Sequence, residues 1–350
     1  MAMTNTAEVD QSDREGRGLI RARAPLRISF SGGGTDLMPY AAEHGGCVLS
    51  ATIDLFAYAD VQPRADRAYH VASADGSNLS GLPEEWVLDG ELDLVKGCLR
   101  HLVPQEGIDM SVGCDAPASS GLGSSSALVV AILAATAELT GTRLGPYELA
   151  QRAYRVERKD LAQPGGMQDQ YAAAFGGFNF MEFRGEQDVT VTPLRVSPEL
   201  VHELHRSLLL CYLGPRERGD LIDLQVESYR EHRRDPMEAL EAIKELTDEV
   251  REALLAGELP RFAYALDEEW RQKQRLAEGI TDHRIQRMEE LARSAGAIAA
   301  KVLGAGGGGH LLLFVPPERR GRVGAALKDA GGRIVDFRFT HRGAETWWAP

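Results

Sequence analysis

The sequence predicts an α+β protein built as two domains. Three observations carry this reading. The first half consists of short apolar runs separated by glycine turns, whereas the second is dominated by charged segments at helical spacing. The chain has 350 residues, enough for about two domains. A strand, a glycine–serine loop and an apolar helix follow one another directly over 108–139.

The elements follow in order. Residues 1–18 are polar, carry acids and lack an apolar core, so they read as a disordered lead-in and not as a signal peptide. Apolar runs predict strands at 26–30, 47–53, 57–61 and 68–71, and helices are expected over 36–43 and 92–102. Strand 108–115 enters the loop, and alanine-rich 127–139 forms the helix beyond it. Pro146 opens a helix to Lys159, because proline fits a first helical turn. Runs 177–183 and 189–193 suggest a hairpin, and 208–213 a buried strand. The first domain therefore spans 19–205, with a break near Arg206 and a second domain over 206–350. There, Pro236 divides 219–255 into two helices, and further helices are expected at 261–276 and 282–294. Strands 299–303 and 310–315, helix 321–329 and strand 333–339 close the chain. The charged helix faces are read as solvated.

Composition excludes several classes. A net charge of −13 argues against nucleic acid as a partner. The longest apolar run, 127–137, is too short to span a bilayer. Cys47, Cys98, Cys114 and Cys211 lie far apart with no Cys-x-x-Cys, so neither a zinc site nor a disulfide framework is indicated, and a cytoplasmic location is expected. The nine histidines show no metal-binding spacing, and His310 reads as structural.

The loop Pro117-Ala-Ser-Ser-Gly-Leu-Gly-Ser-Ser-Ser-Ala127 carries the chemistry. Its glycines permit positive φ and close backbone approach. Serines at a helix start can cap it and offer hydroxyls. Exposed amides and the helix dipole favour an anion there. No lysine lies between Pro117 and Ala137, so this is not a Gly-x-x-x-x-Gly-Lys-Ser/Thr loop. The predicted phosphate cradle comprises Pro117, Ser119, Ser120, Gly121, Leu122, Gly123, Ser124, Ser125 and Ser126. Two further glycine runs stand out, Ser31-Gly-Gly-Gly-Thr-Asp36 and Gly304-Ala-Gly-Gly-Gly-Gly-His310. The latter matches Gly-x-Gly-x-x-Gly, but it precedes a strand where a dinucleotide fingerprint must open a helix.

Three such motifs in this order resemble those of the GHMP kinases, over about residues 21–339. The stretches Ala24-Pro-Leu-Arg-Ile-Ser-Phe-Ser-Gly-Gly-Gly-Thr-Asp36 and Gln168-Asp-Gln-Tyr-Ala-Ala-Ala-Phe-Gly-Gly-Phe-Asn179 are most similar to the heptose 7-phosphate kinase branch. The resemblance implies an N-terminal mixed α/β domain and a C-terminal ferredoxin-like domain with added helices. It implies ATP and Mg²⁺ as cofactors, a sugar phosphate acceptor, and transfer to the anomeric hydroxyl. An unphosphorylated sugar such as L-fucose is the alternative acceptor, and a non-catalytic sugar or nucleotide sensor is the alternative of another class. A homodimer is left open.

The same resemblance assigns residues. Asp169 would be the base beside the acceptor hydroxyl, and it could also cap a helix starting at Gln170. Arg27 would sit beside Asp169 and grip phosphoryl oxygens with its planar fork. Ser125 and Glu157, near the end of the helix from Pro146, would hold Mg²⁺. Gly33, Gly34, Thr35 and Asp36 would meet the sugar, with Asp36 either accepting from its hydroxyls or capping the next helix. Gly306, Gly307 and Gly308 would buttress cradle and acceptor, with Gly307 and Gly308 meeting the substrate. Where galactokinases carry Gly-Glu-His-Thr-Asp, this chain has Gly-Gly-Gly-Thr-Asp36, which leaves room for a different sugar. A distal phosphate would need a cation; Arg23, Arg64, Lys159 and Arg216 are available, and the sequence does not choose among them.

Overall fold

The computed structural model describes residues 18–102, 104, 106–216 and 218–349. The expected lead-in therefore lies, except for Gly18, outside the described residues. Strand β1 (Ile20–Ser31) is buried along most of its length and pairs with the long β2 (Gly46–Pro63). The two predicted strands 47–53 and 57–61 are one. A register shift opposite Pro25/Leu26 absorbs two extra residues of β2, which is how a bulge bends a strand without ending it. Helix α1 (Tyr40–His44) is shorter than expected, because the chain before it makes turns up to a cis Met38–Pro39 bond.

Strands β3 (Tyr69–Ser73) and β4 (Asn78–Gly81) and helix α2 (Asp93–His101) precede β5 (Ile108–Cys114). Helix α3 (Ser124–Thr140) then runs beneath the sheet. It is apolar on all sides and almost wholly buried, as such a helix must be. Helix α4 (Pro146–Tyr154) passes into a wider π turn, Arg155–Asp160, where a single helix to Lys159 was expected. Helix α5 (Gln168–Phe175) leads to the hairpin β6 (Phe178–Phe183) and β7 (Val189–Pro193). Helix α6 (Pro198–Ser207), capped by Ser197 Oγ on Leu200 N, has no counterpart in the sequence reading.

Beyond it lie β8 (Leu208–Tyr212), α7 (Leu221–Arg230), α8 (Arg234–Ala256), α9 (Leu259–Lys273) and α10 (His283–Ala295). Pro236 does not divide the helices. It occupies the first turn of α8, and the break falls just before, where His232 takes φ 52°. Strands β9 (Ala299–Val302) and β10 (His310–Phe314), helix α11 (Arg320–Asp329) and strand β11 (Arg333–Val335) follow. The second sheet has the order β11-β8-β10-β9, all antiparallel. The last strand, β12 (Glu345–Trp348), departs from the expected 206–350 unit. It returns to the first sheet and pairs with β1, giving the order β12-β1-β2-β5-β3-β4 with β6 and β7 branching from β2.

The two halves share their packing. Val250, Ala253, Leu254, Phe262 and Leu266 of α8 and α9 join the core of the first sheet. Ser31 Oγ meets Thr247 Oγ1 at 2.7 Å, and Lys301 of β9 donates to the Phe30 carbonyl of β1 at 2.9 Å. Among the described residues no helix is long and apolar enough to cross a membrane.

Candidate active site

A cleft of ≈ 220 Å³ opens between the halves. The loop after β5 forms one wall. Ser119, Gly121 and Gly123 take φ of 56°, 81° and 76°, alternating with Ser120 and Leu122. Such alternation curls successive N–H groups into one anion-binding concavity. The serines do not cap α3. Gly123 is the cap residue, it makes no side-chain hydrogen bond, and Ser124 Oγ turns back to the Pro117 carbonyl at 3.4 Å. The first-turn amides thus have no side-chain cap, at the positive end of a 17-residue helix. Ser119, Ser120, Gly121, Gly123, Ser124, Ser125 and Ser126 line the cleft. Pro117 and Leu122 do not: Leu122 is a core residue whose carbonyl accepts from Arg27 N at 3.0 Å.

The glycines of 304–309 hold this loop from behind. A Cβ on Gly121 would lie 2.4 Å from the Leu303 carbonyl, and one on Gly304 would lie 2.7 Å from Gly121 Cα. His310 donates from Nδ1 to the Ser120 carbonyl at 2.8 Å, and burial lowers its pKa to about 4, so it is a neutral structural group. Gly307 and Gly308 are a correction to the sequence reading. They pack on Leu221, Gly279 and the 215–216 backbone, and the residues of this run that reach the cleft are Gly304 and Ala305.

Opposite the cradle stands Asp169, in the first turn of α5, not before a helix beginning at Gln170. Gly123 touches it: a Cβ there would lie 3.3 Å from Asp169 Cγ. Arg27 Nε and Nη2 both reach Asp169 Oδ1, at 2.8 and 2.6 Å, and Nη1 donates to the Gly121 carbonyl at 2.6 Å. Arg27 thus lies beside Asp169, as the resemblance implies, and its buried guanidinium ties the acid to the cradle. Asp169 Oδ2 has no hydrogen-bond partner among the described residues, and the side chain borders the cleft.

Asp36 is 2% exposed and does not cap a helix of its own. Its Oδ2 accepts from Met167 N at 3.0 Å and Gln168 N at 3.1 Å, and Oδ1 accepts from Gly34 N at 3.2 Å. It therefore pins the start of α5, and with it Asp169, to the turn of Gly33 and Gly34. A Cβ on Gly166 would lie 1.9 Å from Asp36 Oδ2, so only glycine lets this carboxylate in. Replacing Asp36 by alanine is expected to cost about 1–3 kcal/mol through the unpaired amides, and to lower kcat as α5 loosens. Urea unfolding and steady-state rates check this; unchanged stability would reject the pinning role. Thr35 also leaves the sugar wall: its hydroxyl is spent on Gly32 O, Cys47 O and Cys47 N.

Glu157 lies in the π turn, 1% exposed, on the cleft wall beside Ser126. Burial pushes its pKa up, while Arg158 at 3.6 Å, the Ser126 hydroxyl and the Gln170 amide at 2.5 Å pull it down. The hydroxyl that acts on this carboxylate is thus Ser126, where the sequence pointed to Ser125. Both border the cleft. No three His, Cys, Asp or Glu side chains cluster among the described residues. A hard cation that keeps one or two carboxylates and takes its remaining oxygens from phosphate and water could use Glu157 and a serine hydroxyl of the cradle as its protein ligands.

Of the candidate cations for a distal phosphate, three are engaged elsewhere. Arg23 pairs with Glu345, Arg64 with Asp66 and Asp109, and Lys159 with Glu186. Arg216 does line the cleft. Sequence reasoning missed Lys273, Gln225 and Gln168, which line it too. Only a fold that brings α5, α7 and α9 together around the Gly33 turn reveals them.

The family profile described as the GHMP kinases N terminal domain matches residues 93–177, and the one described as GHMP kinases C terminal matches 250–333. The D-glycero-alpha-D-manno-heptose 7-phosphate kinase of Campylobacter jejuni is 35% identical over 336 residues, covering 94% of this chain and 98% of that protein. The chain belongs to the GHMP kinases. It is a sugar kinase of that family, a phosphotransferase that uses ATP and an alcohol acceptor. A galactokinase of Mycobacterium tuberculosis is 31% identical, over 88% of this chain and 92% of its own. The crystal structure named D-glycero-D-manno-heptose 1-phosphate kinase from Bacteroides thetaiotaomicron superposes with a TM-score of 0.80 at 35% identity, covering 95% of this chain and 99% of that one.

Proposed function

We propose that this kinase phosphorylates the anomeric hydroxyl of D-glycero-D-manno-heptose 7-phosphate, giving the 1,7-bisphosphate and ADP. The observation that carries the reading is Asp169: one oxygen fixed by Arg27, the other open to the cleft, and the cradle against its side. A carboxylate so placed can take the hydroxyl proton as the new bond forms. The anomeric oxygen attacks the γ-phosphorus. Its O–H proton passes to Asp169 Oδ2, the bond from phosphorus to the bridging oxygen breaks, and ADP leaves with that electron pair. The anomeric hydroxyl is more acidic than an ordinary alcohol, so a carboxylate suffices as base.

The triphosphate would rest on the amides of 119–125, where the uncapped helix supplies positive potential. Glu157, with Ser125 or Ser126, would hold Mg²⁺, which when bound spreads the phosphate charge. Arg27 sets the direction of Asp169, and Asp36 sets the height of α5. The heptose assignment leans on the Campylobacter relative's name and on the small Gly33–Gly34 turn. The two relatives' names place the phosphate differently, at carbon 7 and at carbon 1. A coupled ADP-release screen over heptose 7-phosphate, L-fucose, mannose and galactose separates the choices. Heptose 7-phosphate is expected to give kcat/KM at least ~10-fold above the others, about the discrimination one good contact provides. A higher value with L-fucose would overturn the substrate.

A further inference from the structure

Four cations line the cleft, Arg27, Arg158, Arg216 and Lys273, against three carboxylates, Asp36, Glu157 and Asp169. Arg27 is paired with Asp169, and Arg158 lies 3.6 Å from Glu157. Asp36 is occupied by backbone N–H groups. Arg216 and Lys273 are left over. Neither has an ion-pair partner among the described residues. Among the described residues, Arg216 Nε is buried with no hydrogen bond, and Lys273 is 4% exposed, its Nζ donating only to the Gly304 carbonyl at 2.6 Å. Burial works against the charged form of both. Lys273 is buried and Arg216 half-buried, and the opposing charges that act on them, Glu269 and Asp36 on Lys273 and Asp169 on Arg216, form no ion pair with either, which leaves both costly to the empty protein. A ligand anion between them would remove that cost.

Their position says which ligand. Both come from the C-terminal half and line the same cleft; a Cβ on Gly33 would lie 2.9 Å from Lys273 Nζ, while Arg216 packs on Gly307 and Gly308. Two neighbouring amides on the cleft wall are also unmatched, Gln225 Nε2 and Gln168 Oε1, both buried without a partner. The nucleotide phosphates already have the cradle amides and the helix end. We propose that Arg216 and Lys273 bind a phosphate monoester carried by the acceptor, remote from its reacting hydroxyl, and so select a sugar phosphate over the same sugar without its phosphate. The inference rests on the sugar kinase reading and adds the residues that choose the acceptor. Gln225 and Gln168 supply a donor and an acceptor for hydroxyls between that phosphate and Asp169.

The test is kcat/KM for one sugar with and without its distal phosphate, in the wild type and in Arg216→Gln and Lys273→Gln. The wild type should prefer the phosphorylated form by at least about 100-fold. Each variant should narrow that preference by at least about 30-fold, mainly through the acceptor KM, with the ATP KM changed less than about threefold. An equal loss with both acceptors would assign these cations to the transferred phosphoryl group and overturn the proposal. So would a wild type indifferent to the distal phosphate. Should a variant fold poorly, inorganic phosphate and the wild type suffice: phosphate must inhibit competitively against the acceptor and not against ATP. Competition against ATP alone would reject the site. If a hexose 6-phosphate proves the better substrate, the heptose reading falls while this preference is still measured on that pair.

Discussion

Asp169→Asn is expected to lower kcat at least 100-fold while leaving ATP affinity within about threefold, in line with the 10²–10⁴ that a positioned base contributes. The substitution is unusually clean here. Asparagine keeps Oδ1 for Arg27, so the tie to the Gly121 carbonyl survives. What changes is the second oxygen, which faces the cleft and becomes an NH₂ unable to accept a proton. The cradle amides are untouched, so the nucleotide still binds. Rapid-quench turnover together with calorimetric ATP titration checks both halves of the statement. Turnover within tenfold of the wild type would remove Asp169 from the proton transfer.

The second large effect is on stability. Lys301 and Glu269 are 1% and 0% exposed and meet at 2.5 Å, and Lys301 also donates to Phe30 O. This pair joins β9 and α9 of the second half to β1 of the first. Lys301→Met would strand the Glu269 carboxylate in the interior and leave a strand carbonyl unpaired. The expected cost is about 3–5 kcal/mol. Burial lowers the Lys301 pKa, and the Glu269 carboxylate beside it acts in the opposite direction. Adding Glu269→Met should recover most of the loss, because apolar replacements of a buried pair are often neutral. A double-mutant cycle by urea unfolding reads this directly. A single-mutant loss below about 1 kcal/mol would mean that water reaches the pair.

Much of this architecture is legible in the residues. The loop from Pro117 to Ala127 could by itself be an ordinary glycine–serine turn before a buried helix; it is the two further glycine runs that single it out. Asp169 and Arg27 were reached only through family resemblance, yet they do meet across 142 positions of sequence. What escaped the sequence was geometry set by distant partners. Asp36 looks like a cap for the helix after it; that helix begins only at Tyr40, and the carboxylate accepts from the first amides of α5 across the cleft instead. Glu157 sits on a helix pattern whose widening to a π turn has no local signal. Gly307 and Gly308 resemble the ligand glycines around them, and only packing against 215–216 separates them from Gly304. Arg216 was one of four equivalent cations until the fold occupied the other three.

The site's sequence features thus report backbone demands well and side-chain destinations poorly. Backbone demands are local: a residue at positive φ must be small wherever the chain goes. Destinations depend on which elements are brought together. The C-terminal return of β12 to β1 illustrates the same point at the scale of the fold, since its four residues carry no mark of the sheet they join.

The most direct measurement is a crystal structure of the kinase with a non-hydrolysable ATP analogue and a sugar phosphate. The account predicts the β- and γ-phosphates on the main-chain amides between Ser119 and Ser125, with the acceptor oxygen within hydrogen-bond reach of Asp169 Oδ2. Phosphates lodged away from that loop, or an acceptor hydroxyl turned from Asp169, would contradict it.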